Sequence, residues 1–251
     1  MTTMHRLLAQ TAEIAKARPT LSRDALRHLM VVRPRDGEQV ELFDGRGLVR
    51  RFRYVADGRT LEADGDATEV PRQSGRAVTL FACVTKGSRW DWTIEKATEL
   101  GVARIVPVIS ERTIVRLPQS ERAAKRERWM RIAEEAARQS DAAWLPEISE
   151  AVDFCDSVPL ARATRCFVGA LTNPPPRPML CELDAAREDR ESEWSLYVGP
   201  EGDFTPDELA ALLSFATPVS LGPTVLRAET AAIFGISLLV AAKDGAMGQP
   251  S

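Results

Sequence analysis

Tyr197-Val198-Gly199-Pro200-Glu201-Gly202-Asp203-Phe204 and, about 20 residues on, Leu221-Gly222-Pro223-Thr224-Val225-Leu226-Arg227-Ala228-Glu229-Thr230 each place a Gly-Pro turn directly after a strand-like run. A helix signal follows each turn. After the first, Thr205-Pro206-Asp207-Glu208 offers an N-cap, a proline at the first helical position and a glutamate at the capping-box position. After the second, an apolar helix runs from about 229 through 242. Working outward, 77–84 is a continuous apolar run, as expected of a strand buried on both faces. A helix is predicted over 91–100, closed by Gly101, then a buried strand over 104–109 and a long amphipathic helix over 120–139. Further strands are predicted over 166–171, 194–198 and 219–221. Strands alternating with helices predict an α/β domain with a mostly parallel sheet.

Upstream of residue 76 the pattern is different. A short helix is predicted over 21–30, with Ser22 as N-cap. Asp36-Gly37, Asp44-Gly45, Asp57-Gly58 and Asp64-Gly65 then punctuate short strand-like runs, a hairpin signal that predicts a small β-barrel or sandwich. The stretch 70–76 reads as a linker, and Asn173-Pro174-Pro175-Pro176-Arg177-Pro178 as a stiff, extended loop.

The chain has 251 residues, 44% hydrophobic and 27% charged, which excludes a wholly disordered or collagen-like protein and allows one large or two small domains. The net charge of −3 excludes a uniformly basic nucleic-acid binder, yet residues 1–76 carry 14 Lys and Arg against 11 Asp and Glu, while the remainder carries 19 against 25. A basic N-terminal part on an acidic body points to an anionic partner for the former. Cys83, Cys155, Cys166 and Cys181 form no CxxC pair and the two histidines are His5 and His28, so no metal site is expected. Three of the four cysteines lie in or beside apolar stretches and are expected to be buried, reduced thiols. No secretory signal opens the chain, and the longest apolar run, 230–242, is too short to span a bilayer, so a cytoplasmic location is expected.

Ligands of open α/β sheets bind beyond the carboxyl ends of the strands, where both Gly-Pro loops fall. Neither loop is a phosphate cradle: there is no GxxxxGK[ST], Pro200 removes a backbone donor and Glu201 repels phosphate. An uncharged or cationic nucleoside-like ligand suits them better. Helix capping explains Glu229 and Thr230 but not Arg227 at the same positive helix end. Lys86-Gly87-Ser88-Arg89-Trp90-Asp91-Trp92 reads either as a basic loop with a tryptophan for stacking, or as a solvated Lys86 with Trp92 in the core. The bases of 122–131 alternate with acids and read as a solvated helix face. Arg33, Arg35, Arg46, Arg50, Arg51 and Arg53 are less balanced and favour RNA contact; His28 suits a structural or RNA-contact role.

These motifs resemble those of the RsmE family of bacterial methyltransferases, which act on N3 of a uridine in small-subunit ribosomal RNA and belong to the SPOUT class. The resemblance covers nearly the whole chain: around His28, at Val40-Glu41-Leu42-Phe43-Asp44-Gly45, at Thr85-Lys86-Gly87, at Ile94-Glu95-Lys96-Ala97-Thr98-Glu99-Leu100-Gly101-Val102, at Ser110-Glu111-Arg112, and at the two Gly-Pro loops. It implies a PUA-like RNA-binding β-barrel over 1–72 and a SPOUT domain with a deep C-terminal trefoil knot over 77–251. It implies a homodimer acting on 16S ribosomal RNA or the small ribosomal subunit. S-adenosyl-L-methionine would be held by Leu171, Gly199, Pro200, Glu201, Gly202, Leu221, Gly222, Leu226 and Ala231. Arg227, Glu229 and Thr230 would carry catalysis, and His28, Arg33, Arg35, Lys86, Arg89 and Arg112 would contact RNA. The alternatives are a knotted RNA-binding protein without activity and a SPOUT enzyme for another RNA position. The chain departs from the family pattern in three places: Asp203 stands where a second glycine is common, Ala228 where threonine is, and Gln139-Ser140 is followed by Asp141-Ala142 rather than Gly-Arg.

Overall fold

The computed structural model describes residues 4–55, 59–72, 77–186 and 192–243. It divides into two compact units, residues 1–72 with 134–145, and residues 73–133 with 146–251. The assignment of 134–145 to the first unit differs from the boundary read off the sequence, because linker composition marks where a chain changes pattern and not where it later returns. The predicted Asp57-Gly58 turn and residues 73–76 of the predicted linker lie outside the described residues.

The first unit contains β1 (His5–Leu8), α1 (Thr11–Ile14), α2 (Arg23–Val32), β2 (Gln39–Phe43), β3 (Leu48–Val55), β4 (Thr60–Ala63) and β5 (Thr68–Glu69). The sheet order is β1-β2-β3-β4, with β5 also on β3; β1 runs parallel to β2 and the other pairs are antiparallel. Alternation buries Val40, Leu42 and Phe52 with Leu7 and Leu61, and α2 adds Ala25 and Leu29. Asp44 fixes the β2–β3 turn: its Oδ1 accepts from the Arg46 and Leu48 amides at 2.7 and 3.0 Å. Gly47 there has φ +102, and a Cβ on it would lie 2.6 Å from the Trp144 ring, so only glycine fits. Ser22 caps α2 as expected, accepting from the Ala25 amide, but the helix starts at Arg23 and ends at Val32, with Arg33 left-handed at φ +52.

The second unit contains β6 (Val78–Cys83), α3 (Ser88–Glu99), β7 (Arg104–Ile109), the body of α4 (Gln119–Gln139), β8 (Glu147–Ile148), β9 (Val152–Asp153), α5 (Phe154–Arg162), β10 (Arg165–Gly169), α6 (Met179–Ala185), β11 (Trp194–Val198), α7 (Pro206–Leu213), β12 (Thr217–Val219) and α8 (Ala228–Lys243). The strand order is β12-β10-β11-β6-β7-β8, with β9 also on β7, and every pairing is parallel. This is the α/β architecture expected from the alternation. All six residues of β6 are buried. Leu80 and Ala82 pack with Trp90, Ile94 and Leu196 in one core; Phe81 and Cys83 pack with Tyr197 and Phe204 in the other, the Phe81 and Tyr197 rings stacked at 5.5 Å. Gly235 brings α8 onto β11, since a Cβ there would meet Leu196 Cδ2 at 2.5 Å.

Four expectations need correction. Only Cys83 and Cys166 are buried; Cys155 and Cys181 sit on the outer faces of α5 and α6 and are exposed. Burial pushes the Cys83 thiol up to about 12 and the Cys166 thiol to about 11, so both stay protonated. In α3, which begins at Ser88 rather than 91, Trp90 is buried edge-on against Trp129 while Trp92 is 40% exposed, so the reading that put Trp92 in the core does not hold. The α4 bases are not merely a solvated face: Arg122 is buried, donating to the Leu117 and Ala151 carbonyls and pairing with Asp153, Arg126 donates to the Ile148 carbonyl, and Arg128 grips Asp91 with two bonds. Finally, the last strand lies at 217–219 rather than 219–221, so Ser220 and Leu221 belong to the loop.

Candidate ligand site at the strand ends

Strands β10, β11 and β12 are adjacent and parallel, so all three deliver their carboxyl ends to one edge. The chain leaves them through residues 170–178, 199–205 and 220–227. These loops enclose a cavity of about 290 Å³. Of the predicted cofactor residues, Leu171, Gly199, Pro200, Glu201, Leu221, Gly222, Leu226 and Ala231 line it. Gly202 is not in the wall; its carbonyl instead accepts from Arg112. Among the described residues, Arg227 is the one basic residue of the lining, which also contains the acids Glu201 and Asp203.

The first loop is braced throughout. Arg112 Nη1 donates to the carbonyls of Gly202 and Phe204 at 3.1 and 3.2 Å. Glu208 is buried at the start of α7, where Thr205 and Glu208 form the expected capping box. Its carboxylate accepts from the Thr205 amide at 3.0 Å and from the Glu111 amide at 2.9 Å. Gly199 faces the Phe204 ring, which a Cβ would approach to 3.0 Å. Asp203 is left-handed, with φ +57, and its Oδ1 accepts from the Phe204 amide at 2.8 Å.

Glu229, in the first turn of α8, is half-buried and lies outside the cavity lining. Its Oε1 lies 3.8 Å from Arg89 Nε, and its Oε2 is buried without a hydrogen-bond partner. Arg89 also pairs with Glu201 at 3.3 Å. Arg89 is thereby tied to Glu201 in the lining and to Glu229 outside it. Thr230 is exposed and outside the cavity lining.

The other predicted RNA residues are dispersed. Lys86 is exposed. Arg33 and Arg35 are exposed just beyond α2. His28 is half-buried on α2; burial and then the charge of Arg138 lower its pKa, against an opposing pull from Glu135. Arg50, one of the basic cluster, donates to the carbonyls of Ile14, Ala15 and Gly65 and so braces its own unit. Sequence reasoning missed Ala170 and Ser220, which complete the cavity walls, and Glu208. The strand-end rule that found the Gly-Pro loops also covers Ala170 and Ser220. Glu208 carried only a capping signal. Among the described residues no cluster of three His, Cys, Asp or Glu is placed to hold a metal, and no helix is long and apolar enough to cross a membrane.

A loop-walled, mostly apolar cavity at the strand ends is where open parallel α/β sheets bind their ligands, and residues 72–240 match the RNA methyltransferase domain family. A ribosomal RNA small subunit methyltransferase E from Synechocystis is 32% identical over 242 residues, spanning 90% of this chain and 74% of its own length. The namesake from Mycobacterium bovis is 33% identical over 214 residues, 80% of this chain and 78% of its own. The solved structure of the namesake from Neisseria gonorrhoeae, bound to S-adenosyl methionine, superposes with a TM-score of 0.79 at 28% identity, over 93% of this chain and 95% of that one. A putative methyltransferase from Legionella pneumophila with bound SAM gives the same TM-score and identity over 96% and 98%. The chain belongs to the ribosomal RNA small subunit methyltransferase E family.

Proposed function

We propose that the protein transfers a methyl group from S-adenosyl-L-methionine to N3 of a uridine in 16S ribosomal RNA, as a cytoplasmic homodimer. In this reading the first unit is a PUA-like RNA-binding barrel and the strand-end loops form a trefoil knot. The observation that carries the reading is the cavity of about 290 Å³ walled by both Gly-Pro loops, in a chain of this family.

The residues present fit the cofactor. Leu171, Leu221 and Leu226 offer apolar surface to an adenine, and a lining with a single base and two acids accepts a cation more readily than a phosphate. When bound, S-adenosylmethionine supplies an electrophilic methyl group on a positively charged sulfur. The chain's own residues supply the remainder. Glu201 and Glu229 set a negative field beside the cavity. Arg227 faces the cavity and stabilises the negative charge that grows on the uracil oxygens as N3 loses its proton. Glu229 Oε2, a buried acceptor without a protein partner, takes that proton, and the Thr230 hydroxyl orients the base. His28, Arg33, Arg35, Lys86 and Arg112 hold the RNA backbone. Arg89, bridged between Glu201 and Glu229, reaches RNA only by giving up one of those pairs.

The test uses small subunits from a strain lacking the family enzyme and a labelled methyl donor. The wild type forms 3-methyluridine, identified by mass spectrometry of the digested RNA. Arg227→Ala lowers turnover by about 100-fold with unchanged cofactor affinity, a typical loss for one charge-stabilising donor. A folded, cofactor-binding wild type that makes no 3-methyluridine overturns the reading.

A further inference from the structure

A second cavity, of about 330 Å³, lies between the start of α3, the segment around Val115 and Leu117, and α4. The site described above does not use it. Its wall includes Thr85 and Trp90, which are 3% and 2% exposed. The Thr85 hydroxyl and the Trp90 indole nitrogen are buried without a hydrogen-bond partner. Buried polar atoms of this kind are rare and call for a partner. The indole N–H only donates, and the hydroxyl can donate, so the missing partner is an acceptor.

Three neighbours define the acceptor's charge. Gly87, the N-cap of α3, lies in the wall and supplies no side-chain cap, so this 12-residue helix turns its positive end and first-turn amides toward the cavity mouth. Lys125 lines the same cavity, is exposed, and has no side-chain partner among the described residues. Arg128 and Asp91 also line it but neutralise each other through bonds of 2.6 and 2.5 Å. The balance is positive, with donors at the wall and a cation at the rim. A hydrocarbon leaves both donors unpaired, and a cation is repelled.

We infer that this cavity takes a phosphate of the RNA substrate, held by the Trp90 N–H, the Thr85 hydroxyl, the first amides of α3 and Lys125. The choice of RNA rests on the function proposed above and on Arg89. This residue stands between Ser88 and Trp90 of the cavity wall, while its guanidinium reaches Glu201 at the first cavity and Glu229 outside its lining. Arg89 thus links the wall of the second cavity to Glu201 of the first, the path along which an RNA strand would carry a phosphate to one while its base enters the other. Contacts of this kind set the register of the strand and carry no sequence information.

The experiment measures binding of a 16S RNA fragment as a function of salt, for the wild type, Lys125→Gln and Trp90→Phe. The phenylalanine keeps an aromatic ring against Trp129 but removes the N–H together with part of the indole, so Lys125→Gln, which leaves the core untouched, is the control for packing. Each variant is expected to bind RNA roughly three- to tenfold more weakly, the effect of one hydrogen bond. Lys125→Gln is expected to lower the slope of log affinity against log salt by about 0.7, the value for one lost phosphate contact on a single strand. S-adenosylmethionine affinity stays unchanged in both. Unchanged RNA affinity and slope in both variants overturn the inference. Because Lys125 is exposed, its variant folds even if Trp90→Phe does not. A second arm titrates inorganic phosphate: if phosphate binds the wild type and not the variants while RNA binding is identical, the cavity holds a free anion and the assignment to RNA is wrong. A wild type that binds RNA but forms no 3-methyluridine defeats the proposed function alone, since this readout needs no methyl transfer.

Discussion

The two loops that wall the first cavity are held in opposite ways. The loop after β11 is fastened from three sides, by Arg112 on the Gly202 and Phe204 carbonyls, by Glu208 on the Thr205 and Glu111 amides, and by Asp203 on its own neighbour. The loop after β12 has far less. Ser220 bonds locally to Gly222, donates its amide to the Arg177 carbonyl and accepts from the Met179 amide, both at 2.9 Å, while Pro223, Thr224 and Val225 stand in solvent, Val225 at 75% exposure. Gly222, at φ +147, keeps its backbone where other residues are strained. One wall is held by side chains that reach it from outside; the other is held mainly by its own backbone. Substitutions in the first wall therefore act on folding, and substitutions in the second act on binding.

The sharpest way to break that contrast is Leu226→Arg. A guanidinium placed in the apolar wall of the second loop is expected to weaken S-adenosylmethionine binding at least 100-fold by calorimetry, with an unchanged melting temperature, since burying a charge there costs several kcal/mol. A melting point that falls with the affinity would show that the second loop also supports the fold. Next comes Glu208→Ala in the first wall. Removing a buried acceptor of two amides costs about 2 kcal/mol of stability in urea unfolding. An unfolding curve that overlays the wild type would mean that the first loop is not fastened as described. Arg112→Ala loses bonds that are partly open to water, so it is expected to cost about 1 kcal/mol and to weaken the cofactor only a few-fold.

What the sequence disclosed follows the same division. The second unit was legible because each signal was local: the all-apolar β6, the capping box at Thr205 and Glu208, and glycines directly after strands. Its loops were found because the strand-end rule needs only the order of elements. The braces were not legible. Arg112 meets a loop about 90 residues away, Arg122 a carbonyl 29 residues away, and neither separation leaves a trace in periodicity. The same holds for the burial of Trp90 and the exposure of Trp92, in a helix that starts three residues earlier than apolar spacing indicates. In the first unit, Asp44-Gly45 announced its turn, yet nothing in 134–145 announced that Trp144 and Leu145 would pack on the glycines of that turn.

The smallest expected effect concerns the departures from the family pattern. Asp203 and Asp141 both stand where the resemblance leads one to expect glycine, and both are left-handed, with φ +57 and +55. Aspartate is among the few residues that enter this region readily, because its short carboxylate bonds nearby backbone. At 203 that bond is visible, from the Phe204 amide to Oδ1 at 2.8 Å. The substitution therefore keeps the backbone shape that glycine supplies and adds one more tie to the braced wall. Asp203→Gly should change stability by less than about 0.5 kcal/mol, the lost bond being offset by relief of the left-handed strain. Asp203→Ala, which has neither the bond nor the freedom, should cost about 1 kcal/mol or more. Equal and large losses in both variants would mean that the carboxylate itself, rather than the backbone angle, holds the loop. In that case the first wall would depend on Asp203 as much as on Glu208.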